Sequence, residues 1–522
     1  MRVLLFSMPD SFEHTPPLTM RMPNGALASL AGNVGPGHDV AIADLILVQD
    51  RVAATVERLM RHHDPDVVGL SVMTFQRRTA LRLVRLMRAI KPSVTVVAGG
   101  YDPSLAPEAY AAPDSGIDYI VRGEGELTFR ALLEALALGA DAGSIAGLSF
   151  RQPGSPHAGF RHAPARPVSS LAGDIELPNR AARVLEGYTF MGRGIDIVET
   201  SRGCTFDCSF CSIIEMRGRN FHAFDFTRVL ADIADARARG ARAIFIVDDN
   251  ITLNVARFEA LCRAIVEAGF DDMHYIVQAM TSSIANHGDT LAPLMRRAGF
   301  RYVFLGIENV LDEDLQFLRA SAKNAQREGG RRTGNATVRA IERLHEAGLA
   351  VVGGIIVGNP DDTRASIETN LAFARRYVDW PYIQHPTPYP GTPMTEDFRR
   401  RNLIVNERVE EYDGTTAVVK TAHLEAEEVE FLRWRAERWM KLRHVPYVLR
   451  LYTGFVLRHM PTMCAHTFRG SSWRSALGLE SEREVFKRYK RLRAHEREYV
   501  PEWPPAASPE GSLFPASAVS RV

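Results

Sequence analysis

The sequence predicts an α/β protein in which an N-terminal doubly wound (Rossmann-like) domain precedes a (β/α)6 partial TIM barrel and a helical C-terminal region. The first observation is that apolar, strand-like runs alternate about five times with amphipathic helical runs over residues 1–150. The second is that the same alternation resumes after a proline-rich stretch and gives six strand and helix units up to residue 400. Repeated strand and helix units predict parallel sheets, and six of them predict an open barrel.

The domain boundaries are predicted where these patterns change. We assign residues 1–150 to the doubly wound domain, 151–185 to a linker, 186–400 to the barrel, 401–500 to the helical region and 501–522 to a disordered tail. The linker is dense in proline, glycine and serine and has no periodicity, and the tail has low complexity.

Composition limits the class of protein. The chain has 522 residues, of which 46% are hydrophobic and 24% charged, and its formal net charge is +1. These values are typical of a globular protein long enough for several buried cores. Because the net charge is almost zero, no overall field attracts nucleic acid, and we predict no nucleic-acid partner.

The cellular compartment is predicted from what the chain lacks. The N-terminus, MRVLLFSMPD, enters a strand-like run without the charged and long apolar regions of a signal peptide. No run approaches the roughly 18 uncharged apolar residues that a membrane span needs. We therefore predict a cytoplasmic protein. Its five unevenly spaced cysteines do not resemble a disulfide framework and favour a metal or catalytic use.

Small and polar residues follow the strands of the first domain, where ligands of doubly wound sheets bind. Small residues at these points let a large planar or phosphate-bearing ligand approach the backbone, whereas glycines after strands are also ordinary turn formers. The candidate ligand-binding residues are Ser71, Thr74, Gly99, Gly100, Tyr101, Gly123 and Glu124.

The stretch GCTFDCSFC brings Cys204, Cys208 and Cys211 together just after the first predicted barrel strand. A structural zinc site usually has four ligands, and the nearest histidine, His222, is eleven residues further on. Three thiolates instead suit a [4Fe-4S] cluster in which the protein holds three irons and leaves the fourth open to a substrate. Cys262 lies in a predicted helix, which indicates a core thiol.

With Phe210 before the last cysteine, this CxxxCxxC motif strongly resembles the signature of the radical S-adenosylmethionine (SAM) superfamily. The resemblance implies that Cys204, Cys208 and Cys211 hold the cluster. It also implies that the open iron binds the methionine moiety of SAM, and that an electron from the cluster splits SAM to a 5′-deoxyadenosyl radical.

The resemblance extends to other strand ends of the barrel. It implies SAM contacts after the second strand, where Asp248, Asp249 and Asn250 stand in place of the usual Gly-Gly-Glu, and at Glu308 after the fourth. GIIVGNP, with Gly354 and Gly358, resembles the superfamily motif that lies beside the adenine of SAM at the end of the fifth strand. Capping and turn roles remain the alternative for all of these residues, and a divalent metal is an alternative for the two aspartates.

The first domain resembles the cobalamin-binding domains found in front of many radical enzymes, with GG after the fourth strand and RGEGE after the fifth. The resemblance implies that the strand-end residues of this domain bind cobalamin. The chain departs from the family's Asp-x-His-x-x-Gly loop, because Asp10 and His14 have a different spacing and no glycine follows. We therefore expect no protein histidine on the lower face of the cobalt.

Two further regions concern the substrate. His385 and Tyr389, in and before the loop PTPYPGTP, are candidate wall residues of the substrate pocket, although a core histidine is an equal alternative. Residues 431–460 carry arginines among aromatic side chains, a pattern typical of a helix at an anionic membrane surface or of a helix packed on the barrel with its arginines outward.

The domain order resembles the cobalamin-dependent radical SAM enzymes over about 400 residues. The resemblance implies a methyltransferase that uses a [4Fe-4S] cluster, SAM and cobalamin, and that methylates an unactivated carbon through a 5′-deoxyadenosyl radical and methylcobalamin. It also implies a reducing partner such as flavodoxin or ferredoxin. SRGCTFDCSFCSIIEMRGRNFH and HTFRGSSWRSALGLESEREVF resemble the hopanoid C-3 methylases, which would suit an apolar substrate. The alternatives are a cyclase or oxidoreductase of tetrapyrrole or natural-product synthesis and a non-catalytic cobalamin and cluster sensor.

Overall fold

The computed structural model describes residues 1–12, 16–151, 159–169, 173–328, 331–496 and 498–500. His14 and the predicted tail, 501–522, lie outside the described residues.

The first sheet has the predicted doubly wound topology. Its first strand, Arg2–Ser7, lies between the second and third strands of this sheet, so the parallel part has the order 2-1-3-4-5. The strand order changes direction beside the first strand, which is where such sheets bind ligands. In spatial order the strands are Asp39–Asp44, Arg2–Ser7, Val67–Ser71, Thr95–Gly99, Tyr119–Val121, and then the antiparallel Leu148–Arg151 and Phe160–His162.

Helices cover both faces of this sheet because each presents an apolar stripe to it. Arg77–Ile90, for example, buries Leu83, Val84 and Met87 and leaves arginines outside. Asn24 caps the first helix by accepting a hydrogen bond from the Leu27 N–H. The helices are Gly25–Asn33, Val52–His63, Arg77–Ile90, Tyr101–Leu105 and Glu126–Leu138, with 3-10 turns at Leu45–Val48, Thr74–Gln76, Pro107–Tyr110 and Pro113–Ser115.

The second sheet contains the six predicted parallel strands in sequential order and curls into an open half-barrel. Two antiparallel strands extend one edge, and one of them, Met20–Arg21, comes from the region predicted to belong to the first domain. In spatial order the strands are Trp380–Gln384, Ala350–Ile356, Phe300–Glu308, His274–Met280, Ala243–Ile246, Arg193–Val198, Thr189–Phe190 and Met20–Arg21.

Helices pack on the outer face of the half-barrel around one large apolar core. Two short antiparallel strand pairs lie at the carboxyl ends of the barrel strands. They are Ser201–Arg202 with His222–Ala223 and Ala325–Glu328 with Arg331–Asn335. The helices are Ser212–Arg217, Phe226–Ala238, Val255–Glu267, Thr281–Arg297, Asp312–Phe317, Thr337–Glu346, Arg364–Tyr377 and Pro393–Arg400, with 3-10 turns at Arg180–Ala182, Ile251–Leu253 and Val409–Glu411.

The described part of the segment predicted as a linker, 151–185, contacts both domains. It supplies the strand Phe160–His162 to the first sheet, and the Val184 N–H donates to the Ile42 carbonyl at 2.9 Å. Arg180 then reaches the barrel, where its Nη1 donates to Asp232 Oδ1 at 2.6 Å. The segment therefore fixes one sheet against the other.

The helical region closes the base of the half-barrel. The helices are Ala426–Met440, Val445–Thr467, Trp473–Ala476 and Glu482–Glu496, with a 3-10 turn at Lys441–His444. Val448, Tyr452 and Val456 enter the aromatic cluster at the amino ends of the barrel strands, and the Tyr452 hydroxyl lies 2.8 Å from His274 Nδ1. Of the helices that the structure describes, none combines the length and the apolarity needed to span a bilayer.

A buried arginine joins the two sheets. Arg202 donates from Nη2 to Glu126 Oε1 at 2.7 Å and from Nε to Glu199 Oε2 at 2.9 Å, and its Nη1 lies 3.6 Å from Glu124 Oε1. Glu124 and Glu126 follow the fifth strand of the first sheet, whereas Glu199 follows the first barrel strand. Burial raises the pKa of Glu126, but the Arg202 guanidinium outweighs it and lowers the pKa to about 2.

We predict that Arg202→Met lowers the free energy of unfolding by about 3 to 5 kcal/mol, because buried carboxylates lose their cation. The pKa of Glu126 is lower in the folded chain than its model value of 4.5. The stabilisation from this pair is therefore present above pH about 4.5 and is lost as the pH falls toward about 2. Urea unfolding, followed by tryptophan fluorescence over this pH range, measures both effects.

Arg237→Met is the matched control. Arg237 forms an ion pair with Asp272 at 2.7 Å, and both side chains are exposed. Loss of an exposed pair costs at most about 1 kcal/mol. Equal destabilisation by the two substitutions would contradict the importance of the buried pair.

Candidate functional site

A cavity of about 360 Å³ lies where the carboxyl edges of the two sheets face each other. Its wall combines Tyr101 of the first domain with Asp249 and Arg217 of the barrel. The predicted cobalamin-binding residues Ser71, Gly99, Gly100, Tyr101, Gly123 and Glu124 all line it. Thr74 is the exception, since it lines a second cavity of about 370 Å³ beside Pro388 and Tyr412.

Part of the wall contributed by the first domain is formed by glycines. Gly100 has φ of +101° and lies so close to Val72 that an added Cβ would be 2.8 Å from the Val72 carbonyl oxygen. Gly123 has φ of +76°, and nothing lies within 4 Å of its Cβ position. A large ligand can therefore approach the backbone at this edge, as a corrin ring would require.

Tyr101 stands on this edge at the start of the helix Tyr101–Leu105. Burial and the negative charge of Asp249 raise the pKa of its hydroxyl, so the side chain is a neutral phenol at physiological pH. Among the groups that influence it are Arg217 and the cluster-motif thiol Cys211. Tyr101 therefore shares the cavity wall with Arg217, which ends the helix after the cysteine loop.

The loop that carries the cysteines is fixed at its start by a glycine. Gly203 has φ of +91°, and an added Cβ would lie 2.4 Å from Asn220 Oδ1. The Gly203 N–H donates to Asp249 Oδ2 at 2.7 Å. After the loop, the Cys211 N–H donates to the Cys208 carbonyl at 3.1 Å, a tight turn that leads into the helix Ser212–Arg217.

Burial raises the pKa of the Cys208 thiol to about 12 and raises the pKa of Cys211, while the Lys323 cation opposes both shifts. Among the described residues, no group of three His, Cys, Asp or Glu side chains is placed to hold a single metal ion. A cubane spreads its thiolates over different irons, so the ligands need not meet at one point. Cys204, Cys208 and Cys211 on one short loop match the three-thiolate ligand set of such a cluster.

Lys323 is a cation beside the cysteine loop, and the sequence did not identify it as a site residue. Its Nζ donates to Glu308 Oε1 at 2.7 Å and lies 6.0 Å from the centre of the Phe210 ring. Glu308 ends the fourth barrel strand at an irregular pairing and has φ of 59°, a strained conformation for a residue with a side chain. The one available signal was composition, because Lys323 is one of only six lysines in an arginine-rich chain.

The residues after the second barrel strand hold the cysteine loop. Asp248 is buried and accepts hydrogen bonds from the Thr200 N–H at 2.6 Å and from the Ser201 hydroxyl at 2.6 Å. Burial raises its pKa to about 6. Asn250 accepts a hydrogen bond from the Thr252 hydroxyl at 3.0 Å. Of these three residues, Asp249 is the one that lines the cavity.

The glycines of the fifth strand make close contacts. An added Cβ at Gly354 would lie 2.9 Å from the Phe304 ring, inside the barrel. Gly358 has φ of +99°, and its N–H donates to Asp362 Oδ2 at 2.8 Å. The same carboxylate accepts from the Asn359 N–H at 2.8 Å, so it orders the turn after the strand.

His385 and Tyr389 lie in the loop after the sixth barrel strand. Neither residue lines the cavity between the two sheets. His385 Nδ1 lies 3.1 Å from the Val357 carbonyl oxygen, and burial lowers its pKa to about 3, so the ring is neutral. Its Nε2 is buried without a hydrogen-bond partner among the described residues. The Tyr389 hydroxyl donates to the Tyr412 carbonyl at 3.2 Å.

Comparison with protein families finds both predicted domains. The B12 binding domain matches residues 18–133, and the Radical SAM superfamily matches residues 198–374.

Curated relatives extend over most of the chain. An uncharacterized methyltransferase of Pyrococcus horikoshii is 29% identical over 83% of this chain and 91% of its own length. The hopanoid C-3 methylase of Methylococcus capsulatus is 27% identical over 68% of this chain and 64% of its own. The anaerobic magnesium-protoporphyrin IX monomethyl ester cyclase of Rubrivivax gelatinosus is 26% identical over 80% of this chain and 74% of its own.

Among solved structures, the radical SAM methyltransferase TsrM of Kitasatospora setae, with cobalamin and a [4Fe-4S] cluster bound, has the same fold. Its TM-score is 0.62 at 21% identity, over 78% of this chain and 79% of that chain. The chain therefore combines a B12-binding domain with a radical SAM domain at one cavity, and the cofactors of these two domains are cobalamin, a [4Fe-4S] cluster and SAM.

Proposed function

We propose that the protein is a cobalamin-dependent radical SAM methyltransferase that methylates an unactivated carbon of an apolar substrate. The observation that carries this proposal is the cavity whose wall contains both the glycine edge of the first sheet and Asp249, which holds the cysteine loop. Methyl transfer from cobalt to a carbon radical needs both cofactors beside one substrate, and a shared cavity supplies that arrangement.

Each part of the site has its own task in this proposal. When bound, the cluster supplies the electron that cleaves SAM, and cobalamin carries the methyl group. Cys204, Cys208 and Cys211 hold the cluster, and the positive charge of Lys323 acts on Cys208 and Cys211. Gly123 leaves space for the corrin, and Tyr101 stands on the wall of the same cavity.

The apolar class of substrate is supported by the interior of the half-barrel. Phe245, Phe304 and Tyr382 are half-buried there, and the rings of Phe304 and Tyr382 meet edge to face at 5.2 Å. A sterol-like or planar molecule would cover these rings, and a hopanoid, the substrate named for the Methylococcus relative, is our specific candidate.

The location and partners follow from this chemistry. A radical SAM enzyme needs a one-electron donor, for which we propose flavodoxin or ferredoxin. We also propose a cytoplasmic location. An apolar substrate also favours peripheral contact with the membrane that holds it. A cyclase remains the second candidate, because the Rubrivivax relative matches 80% of this chain.

The first experiment tests the cluster. We predict that Cys208→Ala abolishes bound iron and sulfide and reduces the release of 5′-deoxyadenosine from SAM to background, because the cubane loses a ligand. Chemical iron analysis and chromatography of the reduced, anaerobic protein measure both. Cys262→Ala is the matched control, since Cys262 is a buried core thiol and the variant should keep both properties. Turnover equal to wild type in Cys208→Ala would refute the ligand assignment.

The second experiment tests the cobalamin edge. Gly123→Val places a side chain in the cavity, whereas Gly139→Val adds the same side chain at the end of a distant helix. Both glycines have positive φ and open space at the Cβ position, so each change costs about 1 to 2 kcal/mol of stability. We expect only Gly123→Val to lose cobalamin on gel filtration, measured by visible absorbance. Equal retention by the two variants would place the corrin elsewhere.

The third experiment tests the reaction. The reduced protein is incubated with cobalamin, methyl-deuterated SAM and the lipid extract of a deletion strain. We expect a new apolar product that carries the deuterated methyl group, detected by mass spectrometry. A product without label but with fewer hydrogens would indicate the cyclase class, and absence of 5′-deoxyadenosine would indicate the sensor.

A further inference from the structure

The C-terminal region contains a long stretch without acidic residues. From Arg438 to Leu479 the sequence has no aspartate or glutamate, although the net charge of the whole chain is only +1. The basic residues in this stretch are Arg438, Lys441, Arg443, Arg450, Arg458, Arg469 and Arg474. Positive charge is therefore concentrated in one part of an otherwise balanced protein.

The same stretch concentrates exposed apolar side chains. Trp473 is 70% exposed and Leu457 is 64% exposed. Over the described residues, five other large exposed hydrophobic side chains are spread along the remainder of the chain. The six within this stretch are Trp439, Leu457, Met460, Trp473, Leu477 and Leu479.

The fold projects these residues outward. The helix Val445–Thr467 is kinked at Tyr452, which has φ of −136° and ψ of 41°. The residues up to Val456 are anchored in the barrel base, and most of the helix beyond that residue is exposed. The chain returns at Phe468, whose ring lies 5.8 Å from that of Trp439. We call residues 457–479 the arm.

We propose that the arm docks on an anionic lipid surface, with its tryptophan and leucine side chains in the interface and the exposed Arg458 and Arg474 against the headgroups. Exposed tryptophan and aliphatic residues next to arginines and without acidic residues are the composition of interfacial helices. The next acidic residue, Glu480, is occupied, since it accepts hydrogen bonds from Arg488 at 2.9 Å and from Ser472 at 2.9 Å.

A second copy of the chain is a poorer occupant. Two arms face to face would bring arginines together without a carboxylate between them, and like charges repel. A lipid surface with negative headgroups supplies the missing charge and also accepts the apolar side chains. This inference rests on the membrane contact proposed above and identifies the surface that makes the contact. Binding of the arm to lipid does not require the reaction at the barrel mouth.

The test uses the full-length protein with its cluster and phosphatidylcholine vesicles, with or without phosphatidylglycerol. In flotation, we expect the protein to rise with the anionic vesicles and to remain at the bottom with the neutral ones. Added salt should weaken binding, because headgroup attraction is screened. Equal binding to both vesicle types, or no binding, would overturn the proposal.

Paired variants locate the surface. Trp473→Ser should weaken vesicle binding about tenfold through lost apolar burial, and Arg458→Ala about fivefold through one lost headgroup contact. The controls are Leu138→Ser, at a leucine that is 83% exposed on the first domain, and Arg85→Ala, at an exposed arginine. Equal losses in control and arm variants would overturn the assignment.

Two further measurements separate the inference from its alternatives. All four variants should cleave SAM at the wild-type rate in the absence of vesicles, so loss of binding with intact cleavage is specific to the arm. If the reaction proposal fails, vesicle binding is still expected. Sedimentation that shows a dimer disrupted by Trp473→Ser would overturn the lipid assignment in favour of a second copy.

Discussion

The chemistry of this protein depends on holding the carboxyl edges of two separate sheets at a single cavity. Arg202 does this at the centre, where its buried guanidinium contacts carboxylates from both domains. A buried cation costs several kcal/mol to desolvate, and only the correct approach of the two domains provides all of its partners. The ion cluster therefore contributes more to the specificity of the domain arrangement than to its net stability.

The segment between the domains adds to the same constraint. Arg180 contacts Asp232 in the barrel, and Arg183 contacts Asp196 at 2.6 Å in the first barrel strand. Both arginines line the cavity. These two buried ion pairs hold the described end of the connection against the barrel, and would thereby limit how far the two cofactor-binding edges can move apart.

The sequence predicted the architecture because its signals are local. Strand and helix periodicity, the three cysteines and the glycine edges are all readable within short windows, and both sheets have the topology that was predicted. It did not predict Lys323, Arg202 or Glu126 as site residues, because each acts through a partner distant in the chain. Glu126 and Arg202, for example, are 76 residues apart. Charged side chains become identifiable as site residues only when the fold shows which carboxylate they meet.

Sequence periodicity also did not determine how the C-terminal helices pack. The sequence left open whether the basic helix packs with its arginines outward, but Arg433 points inward and donates to Glu437 Oε2 at 2.5 Å and to the Thr415 carbonyl at 3.1 Å. Burial of this arginine anchors the helix Ala426–Met440 beside the last barrel strand. The next helix then seals the barrel base up to Tyr452 and continues as the arm. Because one helix forms both the floor of the barrel and the start of the arm, the kink at Tyr452 sets the direction of the arm relative to the barrel.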